Sequence, residues 1–396
     1  MSLKVEYCGV KLRNPIIAAS ATPTIGPMNL RRLDKAGAGS AVIKSVVYPV
    51  SKPGEPVRRY GKNPRPRFAV INRAGTVYDP ALAAKDSYFT VFRYGERYPT
   101  PDEYAEGIRQ LKKEIEMPII ASICAAPYKY DDWKKLAEIM QDAGSDAIEL
   151  NMHCLPKIKY NQTDPVIVSS VKSVAKVPVI CKLMADWEDP AEVGPKVVEA
   201  GADAITAIGT FGRPVLEIDA EKEEFFLQPA FGGMGGTWNR PVGLSWIARL
   251  ARAVKVPLSG VSGVSDWRDV VKYILVGATT VQVCGALYAK GYGLIGEMTK
   301  GIEGYMERHG YSSLDDFRGK LLKEIKSEAD LPQDPPVKAA IDKAKCIGCG
   351  KCVESCFFTA ISMKDKKAVV DQKACDGCGI CTWICPVQAP KMTRVG

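Results

Sequence analysis

The chain has 396 residues, 46% of them hydrophobic and 25% charged. This is the composition of a folded protein with one large core and a smaller second one, and it excludes a disordered or collagen-like chain. The formal charge is +9, with only two histidines, His153 and His309, an excess that favours anionic ligands or an acidic partner. No apolar run is long enough to span a bilayer. The first residues, Met1 to Tyr7, lack the apolar stretch of a signal peptide. Of thirteen cysteines, only Cys8, Cys124, Cys154, Cys181 and Cys284 precede Cys346. Thiols at the density seen beyond it predict metal ligation and a cytoplasmic location rather than disulfides.

Two signatures alternate over the first 310 residues. One is a proline before a short β-branched run, as in Asn14-Pro15-Ile16-Ile17, Met117-Pro118-Ile119-Ile120, Val177-Pro178-Val179-Ile180 and Val256-Pro257-Leu258-Ser259. Proline is tolerated as the first residue of a strand. The other is a glycine closing a helical run before a short strand, at Gly37, Gly144, Gly201 and Gly277. Strict alternation gives eight strands. Helical patterns fall between them, as at 131–143, 189–200 and 266–276. Eight βα units predict an α/β fold, a closed (β/α)8 TIM barrel, with a doubly wound open sheet as the alternative.

Residues 46–116 form a long connection after the second strand, on the side where such barrels carry their active sites. From Lys44 to Arg73 the chain has eight Lys or Arg against one acidic residue, Glu55. This reads either as a solvated loop or as a positive rim that draws anions to the mouth. Leu331 to Pro336 has the composition of a stiff linker. The expected division is a barrel over 1–310, a helix and linker over 311–336, and a small α+β domain over 337–396.

That last segment holds Cys346-x2-Cys349-x2-Cys352-x3-Cys356 and Cys375-x2-Cys378-x2-Cys381-x3-Cys385, the latter followed by Pro386. In such a pair the fourth cysteine of each run ligates the other cluster. Cys346, Cys349, Cys352 and Cys385 are thus expected around one 4Fe–4S cluster, and Cys375, Cys378, Cys381 and Cys356 around a second. Paired zinc sites would leave the doubled spacing unexplained. The module looks like a bacterial-type two-cluster ferredoxin, except that Phe357 stands where proline often follows the fourth cysteine. Such clusters pass single electrons, so the barrel must supply a cofactor that converts them to pairs, and a flavin does this.

Three glycine-rich loops are expected near the mouth: Ser259 to Gly263, Val283 to Ala286, and Gly232 to Gly236. Together they favour a mononucleotide phosphate. Cys154 follows the fourth strand, where a thiol can donate a proton; its alternative is a buried small side chain. His153 beside it either tunes that thiol and holds substrate or is a satisfied surface residue. Lys44 and Lys182 end apolar strand runs, where a lysine can stabilise negative charge on a reduced flavin.

With these residues in hand, nearly the whole chain resembles the C-terminal half of dihydropyrimidine dehydrogenases and their bacterial FMN and iron–sulfur subunit. These have a dihydroorotate dehydrogenase-like barrel followed by a two-cluster ferredoxin module. The specific pieces are Ala19 to Pro23, Glu149-Leu150-Asn151 with Cys154, the glycines of 232–236, Gln282-Val283-Cys284 and the eight late cysteines. The resemblance implies FMN and two 4Fe–4S clusters as cofactors. It implies flavin contacts from Ala19, Ser20, Lys44, Ser45, Asn151, Lys182, Thr210, Gly236, Gly263, Cys284 and Gly285. Cys154 matches the general acid, with His153 and Lys44 beside it in the catalytic set.

The departures concern substrate recognition. The family motif Asn-Leu-Ser-Cys reads Asn151-Met152-His153-Cys154 here. Gly209-Thr210 stands where the family has Asn-Thr, and Thr90 aligns with a third asparagine. Losing pocket amides can cost discrimination of about 10⁴–10⁵. The expected function is reduction or formation of an activated C=C bond on a small non-pyrimidine substrate, with the positive rim suggesting an anionic one. The alternatives are a genuine NAD-linked dihydropyrimidine dehydrogenase subunit and a non-catalytic electron relay. An RNA-modifying flavin barrel lacks such a module, and no aromatic–basic platform for nucleic acid is evident. From Lys338 to Arg394 there are ten Lys or Arg against five acidic residues. The expected electron partner is therefore acidic, a ferredoxin or a flavoprotein subunit, in a homo- or hetero-oligomer without membrane contact.

Overall fold

A computed structural model describes residues 1–48, 99–126, 128–152, 165–184, 189–209, 218–225, 232–331 and 337–394, together with the backbone of 68–72, 88–92 and 211–215. Among these residues each proline-led or glycine-led run forms a parallel strand. The strands are β1 (Ile16–Ala18), β2 (Ser40–Val42), β3 (Ile119–Ala125) and β4 (Ala147–Asn151). They continue as β5 (Val179–Lys182), β6 (Ala204–Ala207), β7 (Leu258–Val261) and β8 (Thr280–Val283). Neighbours in sequence pair in register, β8 returns to β1, and β2 pairs with β3. The sheet is therefore a closed eight-stranded barrel, and the open-sheet alternative is excluded.

The helices between the strands follow local rules. Helix α1 spans Gly26–Lys35. Helix α2 (Pro101–Leu111) starts in a reciprocal capping box: Glu103 N–H donates to Thr100 Oγ1 at 3.2 Å, and Thr100 N–H to Glu103 Oε2 at 2.7 Å. Helices α3 (Tyr130–Asp142) and α4 (Pro165–Lys172) follow. The carboxylate of Asp189 caps α5 (Pro190–Glu199), and after α6 (Arg240–Ala253) that of Asp266 caps α7 (Trp267–Leu275). The sequence boundaries differ from these by a single residue at each end.

The glycine signature carries a second device. After Gly144 and Gly201 come Asp146 and Asp203. Asp146 accepts from Ile119 N–H at 2.8 Å and from Lys112 Nζ at 2.8 Å. Asp203 accepts from Val179 N–H at 2.8 Å and from Lys172 Nζ at 2.6 Å. Each aspartate ties the preceding helix and strand to its own αβ turn, so the repeat fixes the N-terminal end of the barrel.

Strand residues alternate between two buried environments. Ile16, Ala41, Ile119, Ile148, Cys181, Ile205 and Val281 pack outward against the helices. Ile17, Val42, Ile120, Ala147, Ile180 and Ala204 fill the lower lumen. An N-terminal hairpin, Val5–Tyr7 with Val10–Leu12, closes that end with Tyr7 and Leu12.

The long connection after β2 contributes three strands among its described residues. Val46–Tyr48 pairs with the C-terminal half of β3. Phe68–Asn72 and Tyr88–Phe92 form an antiparallel pair that extends through Gly232–Gly236 to Phe211–Val215. The glycine-rich segment 232–236 is therefore a strand of a four-stranded sheet and not a loop; its ladder bonds override its glycine content. The positive rim, Lys52 to Arg67 and Arg73, lies outside the described residues. Lys44, counted with that rim by charge, is buried in the barrel.

The chain divides into two compact units, Met1–Leu322 and Lys323–Gly396. Residues 311–322 belong to the first, with Leu314 and Phe317 buried; short 3-10 turns follow at Leu322–Glu324 and Glu328–Asp330. Of the linker sequence only Leu331 is described. In the second unit Val337–Ile341 pairs with Pro390–Arg394, and Ile361–Lys364 with Lys367–Val370.

One contact in the barrel wall admits no side chain. A Cβ on Gly260 of β7 would overlap the ring of Tyr273 on α7. Gly260→Ala should lower stability by about 1–3 kcal/mol, as expected for overpacking, read from its denaturant midpoint; an unchanged midpoint would contradict the packing described.

Candidate active site and cluster sites

At the C-terminal ends of the strands the lumen turns polar. Glu149 of β4 is fully buried and accepts three hydrogen bonds from three other strands. Lys182 Nζ donates to its Oε1 at 3.2 Å; Thr206 Oγ1 and Gln282 Nε2 donate to its Oε2 at 2.9 and 2.7 Å. Lys182 also reaches Gln282 Oε1 at 3.4 Å. The Lys182 side chain is 7% exposed and that of Glu149 0%. A buried pair of this kind is held by the additional hydrogen bonds rather than by attraction alone.

A second polar chain lies across the mouth. Asn151 Nδ2 donates to Ser45 Oγ at 2.6 Å; Ser45 Oγ lies 2.9 Å from Ser122 Oγ and 3.3 Å from Ser20 Oγ. The ends of β1, β2, β3 and β4 are thereby joined. Ala19 N–H bonds to Val283 O at 2.9 Å and Lys44 N–H to Thr24 O at 3.4 Å. Burial pushes the Cys284 thiol up to about 11, against the pull of the Lys182 and Lys44 ammonium groups. Cys284 is therefore a neutral thiol at pH 7.

The loop after β7 is held from three sides. Tyr273 OH donates to Ser262 O at 2.7 Å and lies 3.1 Å from Val261 O, a second acceptor for the same hydrogen. Ser262 takes a left-handed φ of 102°, followed by Gly263 at 66°. A non-glycine residue holds such a conformation only when its surroundings fix it. Here Ser262 Oγ donates to Ile208 O at 3.1 Å and accepts from Asn239 Nδ2 at 3.0 Å. The Oδ1 of Asn239 is buried without a partner among the described residues.

Of the residues singled out in the sequence, Ser20, Ser45 and Asn151 meet directly. Lys44, Lys182 and Cys284 share one electrostatic environment. Gly236 ends its strand, Gly263 lies in the loop after β7, and Gly285 opens a short helix, Gly285–Lys290. His153, Cys154 and Thr210 lie outside the described residues, and Thr90 is described in its backbone alone. Sequence reasoning did not single out Glu149, Thr206, Gln282 or Ser122 as site residues. Ser122 and Thr206 are the single hydroxyl residues of otherwise apolar strands, but what they and Gln282 do shows only when the closed barrel sets the strands side by side.

The second unit contains two small cavities lined by cysteines. Cys346, Cys349, Cys352 and Cys385 line the first; Cys356, Cys375, Cys378 and Cys381 line the second. The halves repeat each other closely. Cys346 and Cys375 N–H groups bond to Asp342 and Asp371 carbonyls, each at 3.0 Å. Backbone N–H groups donate to sulfur from Ala368 to Cys346 (3.5 Å), Ala339 to Cys375 (3.4 Å), Ala360 to Cys356 (3.3 Å) and Ala389 to Cys385 (3.3 Å). The N–H groups of Ala368 and Gly348 lower the Cys346 thiol below its ordinary value, favouring thiolate. Gly348, Gly350, Gly377 and Gly379 all have φ between 74° and 78°. That left-handed backbone turns each loop around its cavity.

A closed barrel with a buried charged pair at its mouth, joined to a module with two cysteine-ringed cavities, has the build of an iron–sulfur oxidoreductase. Residues 2–306 match the dihydroorotate dehydrogenase family, and residues 339–392 match a 4Fe-4S dicluster domain. The chain is 30% identical to the catalytic subunit of dihydroorotate dehydrogenase B (NAD(+)) from Pyrococcus abyssi, over 81% of this chain and 99% of that protein. It is 31% identical to the corresponding subunit from Alkaliphilus metalliredigens, over 81% and 99%. It is 26% identical to the NAD-dependent dihydropyrimidine dehydrogenase subunit PreA of Escherichia coli, over 90% and 85%. The chain belongs to the dihydroorotate dehydrogenase family, a family of FMN-binding oxidoreductases acting on CH–CH bonds, and it carries a 4Fe-4S dicluster domain in addition. Among the described residues no helix is long and apolar enough to cross a membrane.

The Glu149–Lys182 pair sets up a mutant cycle. Lys182→Met should destabilise the protein by about 3–5 kcal/mol, because it strands a buried carboxylate. Adding Glu149→Gln should recover most of that loss in chemical denaturation followed by tryptophan fluorescence. Additive losses would show that the two side chains do not act as a pair.

Proposed function

We propose that this protein is an FMN- and iron–sulfur-dependent oxidoreductase that reduces, or in reverse forms, an activated C=C bond. The observation that carries this reading is the buried Lys182, held by Glu149 and Gln282 at the barrel mouth, in a chain that also has two cysteine-ringed cavities. The residues present fit the implied groups. Each cavity has four thiols and backbone N–H donors to sulfur, as a 4Fe–4S cluster requires. The fixed loop at Ser262–Gly263 and the unpartnered Oδ1 of Asn239 fit a polar mononucleotide beside the seventh and eighth strands.

When bound, FMN exchanges electron pairs with the C=C bond, and the clusters pass electrons singly. Lys182 stabilises negative charge at the flavin ring, and Glu149 fixes its position. Ser20, Ser45 and Asn151 offer a connected set of hydroxyl and amide groups to flavin and substrate, with Lys44, Ala19, Gly236, Gly263, Thr210, Cys284 and Gly285 completing the flavin contacts. Cys154, three residues beyond Asn151, holds the proton for the carbon neighbouring the one that receives hydride, with His153 beside it.

The substrate is a small conjugated alkene other than uracil or thymine. Gly209 has no side chain to pair with a ring edge, and its N–H is already bonded to Leu183 O at 3.1 Å. Sites deprived of such partners lose discrimination steeply. The basic second unit exchanges electrons with an acidic partner.

The reading is tested on anaerobically purified holoenzyme, reduced and then mixed with uracil, thymine, orotate and a panel of unsaturated carboxylates and thioesters. Rapid reoxidation by a non-pyrimidine alkene is expected; fast turnover of uracil or thymine would restore the pyrimidine assignment. With the accepted substrate, Cys154→Ala should slow reoxidation by about 10²–10⁴-fold and leave dithionite reduction unchanged. Equal slowing of both steps would remove its role as proton donor.

A further inference from the structure

We infer that the cluster site formed by Cys346, Cys349, Cys352 and Cys385 is the port through which an acidic electron-transfer protein docks. This rests on the reading of two clusters and an acidic partner given above, and it assigns the partner to one of the two.

The two halves of the module repeat each other in backbone but not in surface. In the first cysteine loop the residue after the leading cysteine is Ile347, 64% exposed, and in the second it is Asp376. Ile347 and Met363, the latter 40% exposed, line the mouth of the first cavity. Phe358, 43% exposed, lines the second together with Asp376, so there an apolar side chain shares the rim with a carboxylate.

Charge follows the same division. The first loop packs against the hairpin turn at Asp365–Lys366: Lys367 Nζ donates to Cys346 O at 2.6 Å, and Gly348 lies against the Lys366 carbonyl. Residues 342–351 and 364–367 together hold six lysines and two aspartates. Lys343, Lys345, Lys351, Lys364 and Lys366 are exposed. The matching stretches of the second half, 371–380 and 335–338, together hold two lysines and two aspartates. An apolar patch at a redox centre, rimmed by lysines, is complementary to an apolar contact rimmed by carboxylates. Such charge pairing steers encounter and is weakened by salt. One electron leaves the reduced centre of the partner and one enters this cluster at each encounter.

The test uses full-length holoenzyme and two reductants, a reduced acidic ferredoxin as the protein probe and photoreduced deazaflavin as the small one. Stopped-flow rates are measured from low to high ionic strength. Lys345→Glu/Lys364→Glu should slow reduction by the ferredoxin about tenfold at low salt and flatten its salt dependence. Lys373→Glu, near the second cavity, should change the rate less than about twofold. Neither variant should alter reduction by deazaflavin. An equal or larger effect of Lys373→Glu, or a salt-independent wild-type rate, would overturn the assignment. So would a dimer in light scattering that Lys345→Glu/Lys364→Glu dissociates, because the patch would then belong to a second copy. If charge reversal impairs cluster loading, Lys345→Gln/Lys364→Gln takes its place, with a smaller loss expected and no loss counting against the port. Failure of the underlying reading looks different: iron content and the deazaflavin-reduced EPR signal would then show fewer than two clusters in the wild type.

Discussion

A buried carboxylate must have its hydrogen bonds met, and in this barrel that requirement organises the mouth. The Glu149 oxygens take donors from β5, β6 and β8 while the residue itself sits on β4. Isolated in a low-dielectric lumen, either charge would be strongly disfavoured. Together, with Thr206 and Gln282, they form a closed set that fixes the ammonium of Lys182 at one place. The strand ends are thus held together by the same interactions that present the lysine. Replacing the group with apolar residues could fill the space equally well, but it would leave no cation at the mouth.

The second unit meets a different constraint. Its 74 residues build only a small core, and such modules depend on staples. Its buried set is Ala339, Ile361, Ala368 and Ala389 with three of the cysteines. Two near-identical halves each contribute three cysteines to one cavity and one to the other. The backbone is therefore symmetric because both cavities ask the same of it. The surface is free to differ, and Ile347 and Asp376 stand at matching positions.

The barrel was legible in the sequence because its repeat is local. A proline opens every other strand, a glycine closes the intervening helix, and strict alternation counts to eight. The cysteine loops were legible for the same reason, since spacing alone carries them. Gly232 to Gly236 was misread because a glycine run signals a turn unless a partner strand lies alongside. That partner, Tyr88–Phe92, is about 140 residues earlier in the chain. The network around Glu149 was only half visible. Lys182 was marked as a charge inside an apolar run, whereas Gln282 and Thr206 acquire meaning only when the barrel closes and sets them against Glu149. Lys44 shows the limit of counting charge: it adds to a basic stretch on paper and is enclosed in the fold.

The N-terminal plug bears on the order in which the molecule can be made. Tyr7 and Leu12 sit among Val42, Ile120, Ala147, Ile180 and Ala204. These walls come from strands spread over about 160 residues of chain. The hairpin therefore has no complete seat until the sixth strand has been synthesised, and the ring shuts only when β8 reaches β1. Contacts this distant in sequence are slow to form. Meanwhile the apolar hairpin stays exposed, which leaves the barrel prone to aggregation until its last strand arrives.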